Sequence, residues 1–170
     1  MLTSKPLVYV CNVEEESAAI GNALSKKVET YAEADGSGCV IVSAAIEAEI
    51  SQLTYQEEKN EFLTTLGLEE AGLNKLIRAG YGLLNLITFF TAGPKEARAW
   101  TLPKDSTAPQ GAGKIHSDFE RGFIRAETIS YEDYIANGVE NGAKEAGKLR
   151  VEGADYLIKD GDVLHFRFNV

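Results

Sequence analysis

Cysteine, proline, histidine, methionine and tryptophan are all scarce in this 170-residue chain: two, four, two, one and one copies respectively. The scarcity of cysteine and of histidine each closes off a class of function. Cys11 and Cys39, the two cysteines, sit in separate apolar runs, so two reduced, buried thiols are expected rather than a disulfide framework or a thiolate metal site. His116 and His165 occupy unrelated segments, which supports neither a zinc cluster nor a nucleophile–histidine–acid set. No glycine loop of the form G-x-x-x-x-G-K-[ST] occurs. No apolar run approaches the roughly 20 residues of a membrane helix, and the polar opening Met1–Pro6 is no signal peptide. These absences predict no catalytic residue, no bound metal, no membrane contact and a cytoplasmic location.

What is present is an ordinary globular composition, 44% hydrophobic and 25% charged, with a net charge of −9. The charge is uneven. Residues 1–88 hold six basic side chains against thirteen acidic ones, and residues 89–170 hold eleven against thirteen. Between Lys95 and Arg125 the sign reverses, with Lys95, Arg98, Lys104, Lys114, Arg121 and Arg125 facing Glu96, Asp105, Asp118 and Glu120. Such a stretch reads either as a solvated mixed-charge surface or as a local anion-binding face. His116 lies within it, read as an exposed helix residue between Lys114 and Arg121.

The first half alternates strand and helix. Residues 6–12, PLVYVCN, are a continuous apolar run of the buried parallel type, and CVIVS (39–43) is a second. Between them Ile20, Leu24, Val28 and Tyr31 recur at helical spacing, with Ser17 as the expected N-cap. A strand–helix–strand unit belongs to a parallel sheet, yet only two strands are legible. Helical text fills 45–84. Near residue 85 the pattern turns to β: NLITFFTA and ARAWTL flank Gly93-Pro94 as a hairpin, and residues 108–123 carry Ile115 and Phe119 on one helical face. IRAETI (124–129) is a further strand, and YLIKDGDVLHFRF reads as two strands around Asp160-Gly161-Asp162. In the last of these, Leu164, Phe166 and Phe168 share one face. Two strands, a helix and more strands is the order of a β-grasp, or ubiquitin-like, domain.

The segment FFTAGPKEARAWTLPKDSTAPQGAGKIHSDFERGFIRAETISYEDY (89–134) resembles the signature of the TGS domain in the Obg-like ATPases of the YchF subfamily. That module is shared with threonyl-tRNA synthetase and the stringent-response synthetase/hydrolase. The similarity runs on through AGKLRVEGADYLIKDGDVLHFRFN (146–169) and back through KLIRAGYGLLNLITFFTAGP to the opening strand. The resemblance implies α/β followed by α+β: residues 1–84 as the C-terminal piece of a Ras-like parallel-sheet nucleotide-binding domain with a helical connection, and 85–170 as a TGS domain.

It also implies roles. In this family a strand ends in N-x-x-E where GTPases carry N-K-x-D, and Asn12 and Glu15 match it around Val13; Ser43-Ala44-Ala45 matches a later S-A-x motif beside the base. A GTPase aspartate accepts from guanine N1–H and its exocyclic amine. Glu15 with Val13 in place of lysine removes that selectivity, and Asn12 suits the adenine N7/amine edge, in keeping with a family that prefers ATP to GTP. ATP and Mg would belong to the intact parent, with none bound to this fragment, which lacks the phosphate loop and is expected to be inactive alone. Ribosome or ribosomal-RNA contact is placed on Lys95, Arg98, Lys114, His116, Arg121 and Arg125. The alternative is a free-standing β-grasp interaction module with no nucleotide role.

Overall fold

A computed structural model describes residues 5–93 and 95–169, so Pro94 of the expected hairpin turn and the first four residues lie outside the described residues. The chain divides between Leu84 and Asn85 into two compact units.

In the first unit β1 (Val8–Asn12) pairs in parallel with β2 (Gly38–Val42), in the register Val8↔Gly38 through Asn12↔Val42. Among the described residues this sheet has two strands. A pair of strands is marginal by itself and needs helices against it. Helix α1 (Ala23–Asp35) covers the face of Tyr9, whose ring meets Tyr31 edge-on at 5.9 Å. Helix α4 (Gly72–Leu83) reaches β2 at Gly72, where a β-carbon would stand 3.1 Å from Val42 Cγ1. Helices α2 (Ala44–Gln52) and α3 (Gln56–Thr65) bury Ile46, Ile50 and Leu63 with Ala18.

Two expectations for this unit fail. Ser17 does not cap α1. It ends a short 3-10 turn, Glu15–Ser17, and its hydroxyl donates to Glu14. Asn22 is the N-cap, accepting from the amides of Leu24 and Ser25, while Gly21 turns the chain at φ +74. The stripe is also rotated. Ser25 and Ala32 are buried, while Ile20, Leu24 and Tyr31 are 62–78% exposed. The reason is width: strands about 5 Å apart cannot floor a helix about 10 Å across, so part of the stripe overhangs the sheet.

The second unit is a five-stranded mixed sheet in the order β4-β3-β7-β5-β6. The strands are β3 (Leu86–Ala92), β4 (Ala97–Pro103), β5 (Phe123–Ser130), β6 (Arg150–Glu152) and β7 (Asp162–Phe168). β3 and β7 run parallel at the centre and the other pairs are antiparallel. Helix α5 (Ala108–Ile115) packs on one face; its small residues Ala108, Gly111 and Ala112 bring it close to Ile87, Phe89, Leu102, Ala126, Leu164 and Phe166. A β-carbon at Gly111 would stand 2.3 Å from Ile158 Cδ1. Helices α6 (Ser117–Arg121), α7 (Tyr131–Ala136) and α8 (Val139–Glu145) complete the unit, and the Ser130 hydroxyl caps α7 by accepting from Asp133 N.

The expected strand at Tyr156–Lys159 is reduced to one isolated antiparallel bridge, Leu157 with Thr107. That segment instead bonds the loop ahead of α5, with Ala108 N donating to Tyr156 O at 2.8 Å and Ile158 N to Ser106 O at 3.0 Å. β7's actual antiparallel neighbour is β5, and the short strand β6 lies earlier than expected. Backbone donors that find partners in a loop do not need a ladder.

Candidate functional site

The parallel pair ends with Asn12 beside Val42, and the two chain continuations meet there. Asn12 Oδ1 accepts from Ala44 N at 2.9 Å, and Val13 N donates to Val42 O at 2.9 Å. Ser43 occupies the N-cap position of α2, but its side chain makes no capping bond, so Asn12 supplies the acceptor for the first amide of that helix from another strand. Asn12 is exposed and, among the described residues, its Nδ2 amide has no acceptor. Ala44 and Ala45 are exposed in the first helical turn. Asn12, Glu15, Ala44 and Ala45 therefore gather at one end of the sheet.

Glu15 opens the 3-10 turn with its carboxylate exposed and, among the described residues, unpartnered. Its neighbour Glu14 is committed: it accepts from Asn22 Nδ2 at 3.2 Å and from the Ser17 hydroxyl at 3.1 Å. The Glu14 carboxyl is held below its usual range, first by its own backbone N–H, then by Asn22 and Ser17. So the loop leaves one acid free and ties the other down.

Val13 and Ser43 are buried, at 8% and 3% exposure, so they meet any ligand through backbone atoms rather than side chains. Ser43 Oγ finds no partner among the described residues. It borders a cavity of about 10 Å³ shared with Glu47, Glu70 and Lys75, the size of one water.

The basic candidates of the second unit do not form one patch. Lys95 follows β3, and Arg98 on β4 pairs with Glu96 at 3.1 Å while lying 5.7 Å over the Trp100 ring. Lys114 lies in the last turn of α5, exposed and unpartnered among the described residues. Arg121 on α6 is bonded to Asp118, whose carboxyl is held low chiefly by that bond. Arg125 on β5 alternates with Ala126, which faces α5, so Arg125 points to the opposite face of the sheet. There it pairs with Glu127 at 3.6 Å, and Glu127 also accepts two bonds from Arg167 at 3.2 and 3.0 Å.

His116 is not inside a helix. It is the extended junction, φ −159, where α5 ends and α6 begins, and its Nδ1 accepts from Asp118 N at 3.2 Å. His165 is exposed on β7. Sequence reasoning missed a cavity of about 270 Å³ lined by Trp100, Ile115, Phe119, His165 and Phe168, in which the rings of Phe119 and Phe168 stack at 3.8 Å. The shared face of Phe166 and Phe168 hinted at one wall of it; the helical walls had no signal. Among the described residues no group of three or more His, Cys, Asp or Glu side chains could hold a metal, and no helix is long and apolar enough to cross a membrane.

The chain is similar to known proteins. Residues 86–169 match the family YchF-GTPase_C, described as "Protein of unknown function (DUF933)". Over 169 residues the chain is 59% identical to "Ribosome-binding ATPase YchF" of Escherichia coli O157:H7, covering 99% of this chain and 46% of the relative. It is 55% identical to the protein of the same name from Bacillus subtilis (strain 168), covering 100% and 47%. The structure of the Schizosaccharomyces pombe YchF GTPase superposes with a TM-score of 0.83 at 35% identity, over 98% of this chain and 44% of that one. The chain thus spans about half the length of the curated relatives it matches.

Proposed function

This chain belongs, by homology along its whole length, to the YchF family, and from that premise we propose that it is the C-terminal portion of a cytoplasmic, ribosome-binding P-loop ATPase. Residues 1–84 are the last part of its Ras-like nucleotide domain and recognise the base. Residues 85–170 are its TGS domain and meet the ribosome. The observation that carries the first assignment is the bond from Ala44 N to Asn12 Oδ1, which brings Asn-x-x-Glu and Ser-Ala-Ala to one rim. The second is supported by strand order: numbered within the unit, β4-β3-β7-β5-β6 is 2-1-5-3-4 with a parallel central pair, the order of a β-grasp.

The rim's chemistry fits a purine and favours adenine. Asn12 Nδ2 is free to donate to N7, and Oδ1 retains a lone pair for the exocyclic amine of adenine after accepting from Ala44. Guanine presents an oxygen where that amine would be, so Oδ1 meets an acceptor. Exposed Glu15 stands one methylene longer than the aspartate that would engage guanine N1–H and its amine. The donor set does not fit the triphosphate or Mg²⁺, for the sequence has no G-x-x-x-x-G-K-[ST] loop and, among the described residues, no group of three or more His, Cys, Asp or Glu could hold a metal. When bound in the parent, Mg²⁺ would neutralise phosphate charge from residues outside this chain; what this chain does is hold and select the base.

The test is Glu15→Asp in the full-length parent, with ATP and GTP affinities measured side by side. Selectivity should move toward GTP by about tenfold, the equivalent of about 1.4 kcal/mol from one new charge-assisted bond. An unchanged ATP/GTP ratio would leave the β-grasp interaction module as the better reading.

A further inference from the structure

Two thiols that lie 28 positions apart in sequence come together in the first unit. Tyr9 is opposite Cys39 and Cys11 opposite Ile41, so the cysteines are diagonal neighbours on adjacent strands, both on the face toward α1. Their Sγ atoms are 3.7 Å apart, and both residues are half-buried and free. We propose that Cys11 and Cys39 are a reversible thiol–disulfide pair, closed by a peroxide oxidant, and that closure acts on the rim carrying Asn12 and Ala44. The inference rests on the geometry of that rim and not on its ligand.

Access separates the two sulfurs. Cys11 lines an open cavity of about 420 Å³ with Tyr9, Asn12, Leu24, Ser25 and Val28, and Cys39 does not. The Cys39 thiol is pushed up to about 11, first by burial and then by the neighbouring Cys11 thiol, so it stays protonated at neutral pH. Cys11 therefore meets the oxidant. Its sulfur takes one oxygen from hydrogen peroxide, giving a sulfenic acid and one water. The Cys39 sulfur then attacks the Cys11 sulfur, the S–O bond breaks, and the departing oxygen takes the Cys39 proton and leaves as a second water. Two thiols and one peroxide become one disulfide and two waters.

Closure has a mechanical consequence. Diagonal neighbours in a sheet stand roughly 7–8 Å apart between α-carbons, at or beyond the roughly 7 Å that an unstrained disulfide spans. Forming the bond must draw β1 against β2. Cys11 directly precedes Asn12, and Cys39 lies four residues before Ser43, so the shear is delivered to the bond between Asn12 and Ala44. A disulfide closed against such a load is readily reduced again.

The whole chain is treated with hydrogen peroxide under native conditions, blocked and read by mass spectrometry, with hydrogen exchange followed at the Ala44 amide. The expected result is loss of both titratable thiols within one chain, a mass lower by two hydrogens, and full recovery with dithiothreitol. Ala44 should exchange several-fold faster in the oxidised form. Cys39→Ser should trap a sulfenic acid on Cys11 that reacts with dimedone, and Cys11→Ser should leave Cys39 a thiol at the same peroxide dose. Persistence of both thiols, cross-links between chains only, or identical Ala44 exchange in the two forms would overturn the proposal. Failure of Glu15→Asp to alter purine choice would sink the nucleotide reading and leave this result standing.

Discussion

Asn12 has one observed job and one proposed job, and two substitutions pull them apart. Its Oδ1 caps the first amide of α2 at 2.9 Å, and the function proposed above assigns its Nδ2 to a base. Asn12→Ala removes both. An N-cap acceptor replaced by alanine costs about 1 kcal/mol, and Ser43 has no capping bond to compensate, so the first turn of α2 loosens by that amount. At about 1.4 kcal/mol per decade, Ala44 exchange should accelerate about fivefold. Asn12→Asp keeps an acceptor of nearly the same shape but has no donor, and its charge repels the lone pair of purine N7. It should hold Ala44 exchange within about a factor of two of the wild type. ATP affinity of the full-length parent should nonetheless fall by about tenfold or more, as in the alanine variant. Exchange is read by NMR on the chain itself, and affinity by titration calorimetry on the parent. Retention of ATP affinity by Asn12→Asp would refute the assignment of Nδ2 to the base. Unchanged Ala44 exchange in Asn12→Ala would refute the capping role.

Three further outcomes follow from the second unit. Glu127 is held below the usual carboxylate range chiefly by Arg167, so its contribution to stability is complete above the unfolded carboxylate value of about 4.3 and is lost as pH falls below it; Glu127→Gln should flatten the acid limb of the melting-temperature profile below about pH 5 and leave its neutral slope unchanged. Gly122→Ala would set a β-carbon 2.1 Å from the carbonyl oxygen of Asn169, a backbone atom tied by the bond from Asn169 N to Gly122 O; a loss of about 1–3 kcal/mol should appear as a melting temperature lower by at least about 5 °C. If the second unit meets ribosomal RNA through the α5–α6 face, Lys114→Ala with Arg121→Ala should weaken ribosome binding and lower the salt-dependence slope by about one for each phosphate no longer neutralised, whereas Arg125→Ala, on the other sheet face, should leave the slope unchanged.

How the sequence related to the structure differed by element. Uninterrupted apolar runs in residues 6–12 and 39–43 were sufficient to locate the parallel pair, because a short apolar run bounded by turn residues reads as a strand, but the burial expected of them is not met: β1 and β2 are mostly half-buried and Val10 is exposed. The change of periodicity near residue 85 was equally plain. The position of α1 was not, because Ser17 and Asn22 are both good caps, and the choice fell to the 3-10 turn that occupies Glu15–Ser17. The break at His116 was invisible too, since Ile115 and Phe119 keep helical spacing across it.

By itself the sequence determined what is local: which runs bury, where the chain turns, and a stretch of family resemblance too long to be accidental. Only the tertiary structure decided what meets what. Strand register set Cys11 beside Cys39 and Asn12 beside Ala44, because a shift of one residue would send each side chain to the other face. Sheet alternation likewise divided a contiguous basic stretch between two faces, putting Arg125 behind the strands that carry the core. Proximity along a chain is a property of the sequence, whereas a shared face depends on register and pleat, which long-range pairing alone supplies.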